Sequence, residues 1–181
     1  MPIVPDTKDW TWVLARACPE CGFDSSSLAR EDVAALVRAN ARAWPPILAE
    51  PAALLRERRR HDRWSSLEYA CHVRDVFRLY DQRLQLMLSV DGPAYPNWDQ
   101  DATAVDDRYN EQNPAVVASE LVVAGDALAA TFDTVEGAAW DRTGTRSDGA
   151  EFTVDTFGRY MIHDPVHHLH DVMVDLAALR S

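Results

Sequence analysis

At 181 residues, 47% hydrophobic and 26% charged, the chain has the length and composition of one globular domain that buries a real core. Its net charge of −11 excludes the basic footprint that nucleic-acid binding needs and disfavours docking on anionic lipid. The opening MPIVPDTKDWTW shows no basic stretch followed by an apolar one, and no apolar run reads as long enough to cross a bilayer, so the expected location is the cytoplasm.

In chain order, the first feature is Cys18-Pro-Glu-Cys21. With only Cys71 besides, the cysteines do not make a disulfide framework. A single CxxC is half of a zinc site. Three readings stay open: a structural or incidental role, a metal site completed elsewhere or by another subunit, and redox chemistry. A first helix is expected from about Leu28 to Trp44 after the turn-like DSSS, with Val33, Leu36, Val37 and Ala41 on one side. Pro45 and Pro46 should then interrupt it. The stretch PAALLRERRR at 51–60 reads as a short helical restart, and His61 after it as a solvated side chain.

A second helix starts from a capping box in WSSLE, Ser65 with Glu68, and runs to about Ser89. Val73, Val76, Phe77, Tyr80, Leu84 and Met87 mark its apolar face. The connection 91–112 is long, polar and acidic. Loops of this length are usually functional or disordered. Trp98, Tyr109 and Asn110 would wall a substrate pocket or simply pack the loop. Asn113 caps a third helix with Pro114 at its first position, reaching about Val135. Turn signals at Gly144 and Asp148-Gly149 point to a small hairpin. A fourth helix runs from Thr153 or Asp155 to about Leu179.

Four long helices without a strand system read as an all-α four-helix bundle, with the 91–112 link free to cross over between helices 2 and 3. The chain divides into an N-terminal extension, 1–27, carrying the CxxC, and a bundle domain, 28–181. Met87, Met161 and Met173 read as core packing, as does Cys71.

The run HDPVHHLHDV on the fourth helix holds four of the six histidines. His163 and His167 lie about 40° apart on the helix, with Cβ atoms roughly 5–6 Å apart, so both rings can reach one ion. Phe157, Tyr160 and Val174 share their face, which makes it an inward face. His168 points about 100° from His167 and reads as outward. His170 lies near the stripe but about 10 Å along the axis from His163. Pro165 lacks the N–H that would bond the Met161 carbonyl and should bend the helix between the two rings. His72 sits on the second helix on the stripe Glu68, His72, Val76, Tyr80. A buried imidazole must be metal-bound or hydrogen-bonded, and either satisfies it. Glu68 or Asp75 would orient it, or Glu68 would itself reach the ion.

RWSSLEYACHVRDV, followed far downstream by HDPVHHLHDV, resembles the DinB-like family of four-helix-bundle proteins, over about residues 28–179. CPECGFD and YNEQNP resemble its actinobacterial-type branch. The resemblance implies that His72, His163 and His167 form a three-histidine site for a divalent ion, zinc or nickel, with positions open to water or substrate. Histidines alone do not name the metal. The family includes small-thiol transferases and a mycothiol-dependent maleylpyruvate isomerase. That implies a metal-dependent enzyme, a small-thiol transferase, an isomerase or a hydrolase, acting on a small molecule with a thiol such as mycothiol, in a homodimer. Glu68 is the candidate proton acceptor. The alternative is a non-catalytic metal-binding or stress-associated bundle.

Overall fold

The computed structural model describes residues 10–60 and 62–179, so the reading of His61 lies outside them. In chain order the elements are α1 (Val33–Leu48), α2 (Ala52–Leu55), α3 (Ser66–Ser89), β1 (Ala94–Tyr95), α4 (Gln100–Asp106), α5 (Pro114–Asp133), β2 (Thr143–Arg146), β3 (Glu151–Thr153) and α6 (Val154–Leu179).

The expected start of α3 is present in full. The Ser65 side chain accepts from the Glu68 N–H, and the Glu68 carboxylate accepts from the Ser65 N–H. Asn113 caps α5 through the N–H groups of Ala115 and Val116, with Pro114 in the first turn. At α1 the expectation fails. Pro45 and Pro46 do not end the helix, which runs on to Leu48. They fall in its last turn, and Trp44, Ile47 and Leu48 are buried there. That burial offsets the two backbone bonds the prolines cannot make. The buried Asn40 ties α1 to α6, donating to the Pro165 carbonyl and accepting from Trp44 Nε1. α6 continues through Pro165.

α5 packs against α1 and α3, and α6 packs against the same two, so the order around the bundle is α1, α5, α3, α6. Directions follow from pairs of residues. Arg74 and Arg78 reach Glu120 while Thr131 Oγ1 donates to Asp81, so α3 and α5 run parallel. Arg38 pairs with Asp133 and Arg42 with Asp126, so α1 and α5 are antiparallel. The link between α3 and α5 therefore returns along the whole bundle, the crossover that its length allowed. On the way it adds β1 in parallel to the expected hairpin, giving a sheet ordered β1-β2-β3. Arg142, just before the hairpin, donates to the carbonyls of Met87 and Val90 and closes the end of α3.

No bilayer-crossing run was expected, yet α5 is long and apolar enough by length and composition alone, with a mean hydropathy of 1.6. Here it is a bundle wall. Val117, Leu121, Ala124, Leu128 and Phe132 are buried. It fits tightly against α1 and α3 at Gly125, where an added Cβ would lie 2.6 Å from Ala41 Cβ and 3.3 Å from the Phe77 ring. A Cβ cannot rotate away, so the helices would have to separate. Gly125→Ala is expected to destabilise by about 1–3 kcal/mol despite its better helix propensity. A thermal melt showing the variant as stable as the parent would refute this contact.

Candidate metal centre

α6 carries two interleaved pairs, His163 with His167 and Asp164 with His168. Each pair spans one turn, and the pairs are rotated about 100° from each other. The first faces the N-terminal segment and the second faces α3.

In the N-terminal segment, residues 18–23 close a tight turn. The Cys18 N–H donates to the Phe23 carbonyl, and the Gly22 N–H donates to the Cys18 carbonyl. Gly22 has φ +75°, the left-handed region that glycine enters without strain. Cys18 Sγ lies 3.7 Å from His167 Nδ1, and Cys21 Sγ lies 3.8 Å from His163 Nε2. The ligand atoms of these four residues all lie within 4.8 Å of one another. Burial, helped by the neighbouring His167, pushes His163 down to about 4. Burial lowers His167 too. Both rings are thus neutral at pH 7, the form that binds metal. Burial pushes the Cys21 thiol up to about 11, so without a cation it is not a reactive thiolate.

On the α3 side, His72 Nε2 lies 3.1 Å from Asp164 Oδ2, and His168 Nε2 lies 3.1 Å from Asp164 Oδ1. These three residues also offer ligand atoms within 4.8 Å of one another. The fully buried His72 ring stacks on Trp98 at 5.3 Å and 1° and packs beside Trp64 at 4.9 Å. Partial burial works against the Asp164 charge, yet His168 and His72 hold its carboxyl well below the usual carboxylate range. Neither ring nitrogen of His168 has an aligned hydrogen-bond partner, nor does Nδ1 of His72. Buried imidazoles left this way fit metal ligands better than packed core residues. The cluster opens on a cleft of about 1000 Å³ along the α3–α6 seam, which runs past Val76 and Tyr80 to Arg83 and Arg146.

The structure thus divides the expected three-histidine set. It brings His163 and His167 together but groups them with Cys18 and Cys21, while His72 meets Asp164 and His168. The reason is the one-residue offset between the pairs. His168 is a poor partner for His167, as the helical angle required, but it is an i,i+4 partner for Asp164. It faces inward, with its side chain 16% exposed. Reading Asp164 and His168 as a pair of their own would have found the second cluster. No helical periodicity could have found the CxxC partner, because it comes from outside the bundle.

Glu68 is not placed to act on substrate. Its carboxylate caps α3 and pairs with Arg58. Asp75 does not orient His72, because it is held by Arg74 and by the Tyr109 hydroxyl. Of the loop residues, Trp98 lines the cleft, whereas Tyr109 is core and Asn110 accepts from the Ser65 hydroxyl. His170 is exposed. Asp171, one turn beyond His167, lies 3.7 Å from its Nε2. Met173 and Val174 were expected inside and are exposed, because this end of α6 turns Val172 and Leu176 to the core instead. Met87, Met161 and Cys71 are buried as expected.

A four-helix bundle with an overhand link and a histidine–carboxylate cluster on its central seam defines a class of helical proteins built around a candidate metal site. The chain belongs to the DinB superfamily, which matches residues 27–172. Among solved structures it is similar to YfiT from Bacillus subtilis, described as "a probable metal-dependent hydrolase with an unusual four-helix bundle topology". The TM-score is 0.68 at 16% identity, over 97% of this chain and 94% of that one. At that identity the likeness establishes the fold. No curated protein matches the sequence.

Proposed function

We propose that this protein is a metal-dependent enzyme that activates water or a small thiol for attack on a small anionic electrophile. The observation that carries this reading is the His72–Asp164–His168 cluster opening onto the cleft. Two imidazoles and one carboxylate are a catalytic donor set, three protein ligands with a position left over. Their N···O separations of 3.1 Å fit the roughly 2.9–3.4 Å between neighbouring ligands of an ion bound at about 2.0–2.2 Å. A zinc or nickel ion there would lower the pKa of a water or thiol towards neutrality.

The chain's own residues do the rest. Trp64 and Trp98 fix the His72 ring between them, and Asp164 faces both imidazoles. Trp98, Val76 and Tyr80 give the cleft an apolar wall beside the cluster. At its far end Arg83 is 6% exposed and forms no ion pair among the described residues. Its guanidinium lies over the Tyr95 and Tyr80 rings, 4.9 and 5.4 Å from their centroids, and donates to the Pro96 carbonyl. A buried cation without a counterion favours a ligand that brings one. The described function of YfiT favours water as nucleophile, and the family's thiol-dependent members favour a small thiol.

The test is turnover of a panel of esters, amides and reactive electrophiles bearing carboxylates, with and without small thiols, by untagged protein loaded with zinc or nickel. Metal-dependent turnover is expected. Arg83→Met should raise KM for carboxylate substrates roughly 10- to 100-fold, with a smaller effect on kcat. An unchanged KM would remove Arg83 from substrate binding. No metal-dependent turnover with water or any thiol would leave a non-catalytic metal-binding bundle.

A further inference from the structure

We propose that Cys18, Cys21, His163 and His167 hold a second, structural zinc ion that pins the N-terminal segment beside the cleft. Two thiols and two imidazoles are the donor set of closed tetrahedral zinc sites, which leave no position for substrate. The dimensions agree. Zinc–sulfur and zinc–nitrogen bonds of about 2.3 and 2.0 Å at a tetrahedral angle put neighbouring S and N atoms about 3.5 Å apart. The two S···N separations here are 3.7 and 3.8 Å.

Three further observations support an ion at this place. The CPECG turn, closed by left-handed Gly22 and two backbone hydrogen bonds, presents both sulfurs to the same helix face. His167 offers Nδ1 to Cys18 and turns Nε2 towards Glu20 at 3.6 Å and Asp171 at 3.7 Å. Carboxylates behind a metal-binding imidazole fix its tautomer and raise its basicity. Both cysteines are free thiols, with no disulfide between them. Binding converts two thiols to thiolates, releases two protons to solvent, and leaves a Zn²⁺ with two thiolates, neutral overall.

The ion would hold in place a segment that helps form the cleft. Trp10 packs on His163 and His167 at 5.7 and 5.8 Å, and Trp10 and Thr11 line the cleft. One α6 thus serves two ions from adjoining faces: an open one towards α3, and a closed one that fastens the N-terminal segment over it.

The experiment uses full-length, untagged protein. Metal content is measured together with zinc X-ray absorption. Zinc with sulfur neighbours at about 2.3 Å is expected. The double variant Cys18→Ser, Cys21→Ser should lose one zinc per chain and all zinc–sulfur scattering. His72→Ala with His168→Ala should leave both in place, which separates this proposal from the proposed enzyme site. Zinc without sulfur neighbours, or unchanged metal content in the cysteine variant, overturns the proposal. If the cysteine variant does not fold, the parent protein still decides. Modification of its native thiols by a mercurial should release one zinc per chain to a chelating dye. Thiols that react without zinc release overturn the proposal.

Discussion

His168→Ala is expected to abolish metal-dependent turnover and to weaken the ion at the α3–α6 seam by more than about 100-fold. Loss of a partner that merely orients a ligand already costs 10–100-fold, and His168 is placed as a direct ligand. His72→Ala should behave alike. The informative contrast is His167→Ala. If His72, His163 and His167 bound the reactive ion, as the family resemblance implies, His167→Ala would abolish activity and His168→Ala would be mild. In the arrangement described above the order is reversed: His167→Ala disturbs the N-terminal anchor and spares the residues at the seam. Measuring metal affinity and kcat/KM for both single variants separates the two sets. Equal retention of activity in His168→Ala and the parent would sink the seam assignment.

The largest expected stability effect lies away from the metal ligands. Arg74 is 5% exposed and serves Asp75, Gln112 and Glu120, while the Tyr109 hydroxyl donates to Asp75. This network joins α3 to α5 and to the returning link. Arg74→Ala leaves the largely buried Asp75 carboxylate without its closest cation, and removing one partner of a buried pair costs about 3–5 kcal/mol. That is a large fraction of the roughly 5–15 kcal/mol that holds a domain folded. The pH dependence gives the prediction its sign. Burial opposes the Asp75 charge, but Arg74 and Tyr109 hold its carboxyl below the usual range. In the parent, this contributes stability that is present above the unfolded pKa of about 3.9 and is lost as pH falls through the lower folded value. Without Arg74, only Arg78 at 3.2 Å and the Tyr109 hydroxyl remain against burial, so the folded value rises and the ionised carboxylate contributes less at neutral pH. The gap between parent and variant should therefore narrow on acidification. Denaturant melts at neutral pH and near pH 4 test this, and a constant gap would refute it.

The parts of this structure legible in sequence are those fixed by neighbours within a few residues. Ser65 with Glu68, and Asn113 with Pro114, name their helix starts because the donors and acceptors involved lie within one turn. The Asp148-Gly149 turn marks its hairpin for the same reason. Pro45 and Pro46 mislead because the rule against proline describes helix interiors, whereas here the tertiary burial of Trp44, Ile47 and Leu48 decides the last turn. At the site, the chemistry was legible and its partition was not. His72, His163 and His167 all lie inside or beside the cleft. Which of them meet depends on a one-residue phase along α6, legible only when Asp164 and His168 are read as an i,i+4 pair of their own, and on a cysteine turn delivered from a distant segment, which leaves no periodic trace.

The helix order also bears on how the chain finds this fold. Of the long helices, α1 and α3 are diagonal, as are α5 and α6, while α3 and α5 are neighbours that run in the same direction. No two consecutive long helices therefore form an antiparallel hairpin, the local unit from which most helical proteins assemble. The main helix–helix contacts must wait for long segments to close, and that entropy is lost before any packing repays it. In its search problem this mainly helical protein is nearer to a β-sandwich than to a simple bundle.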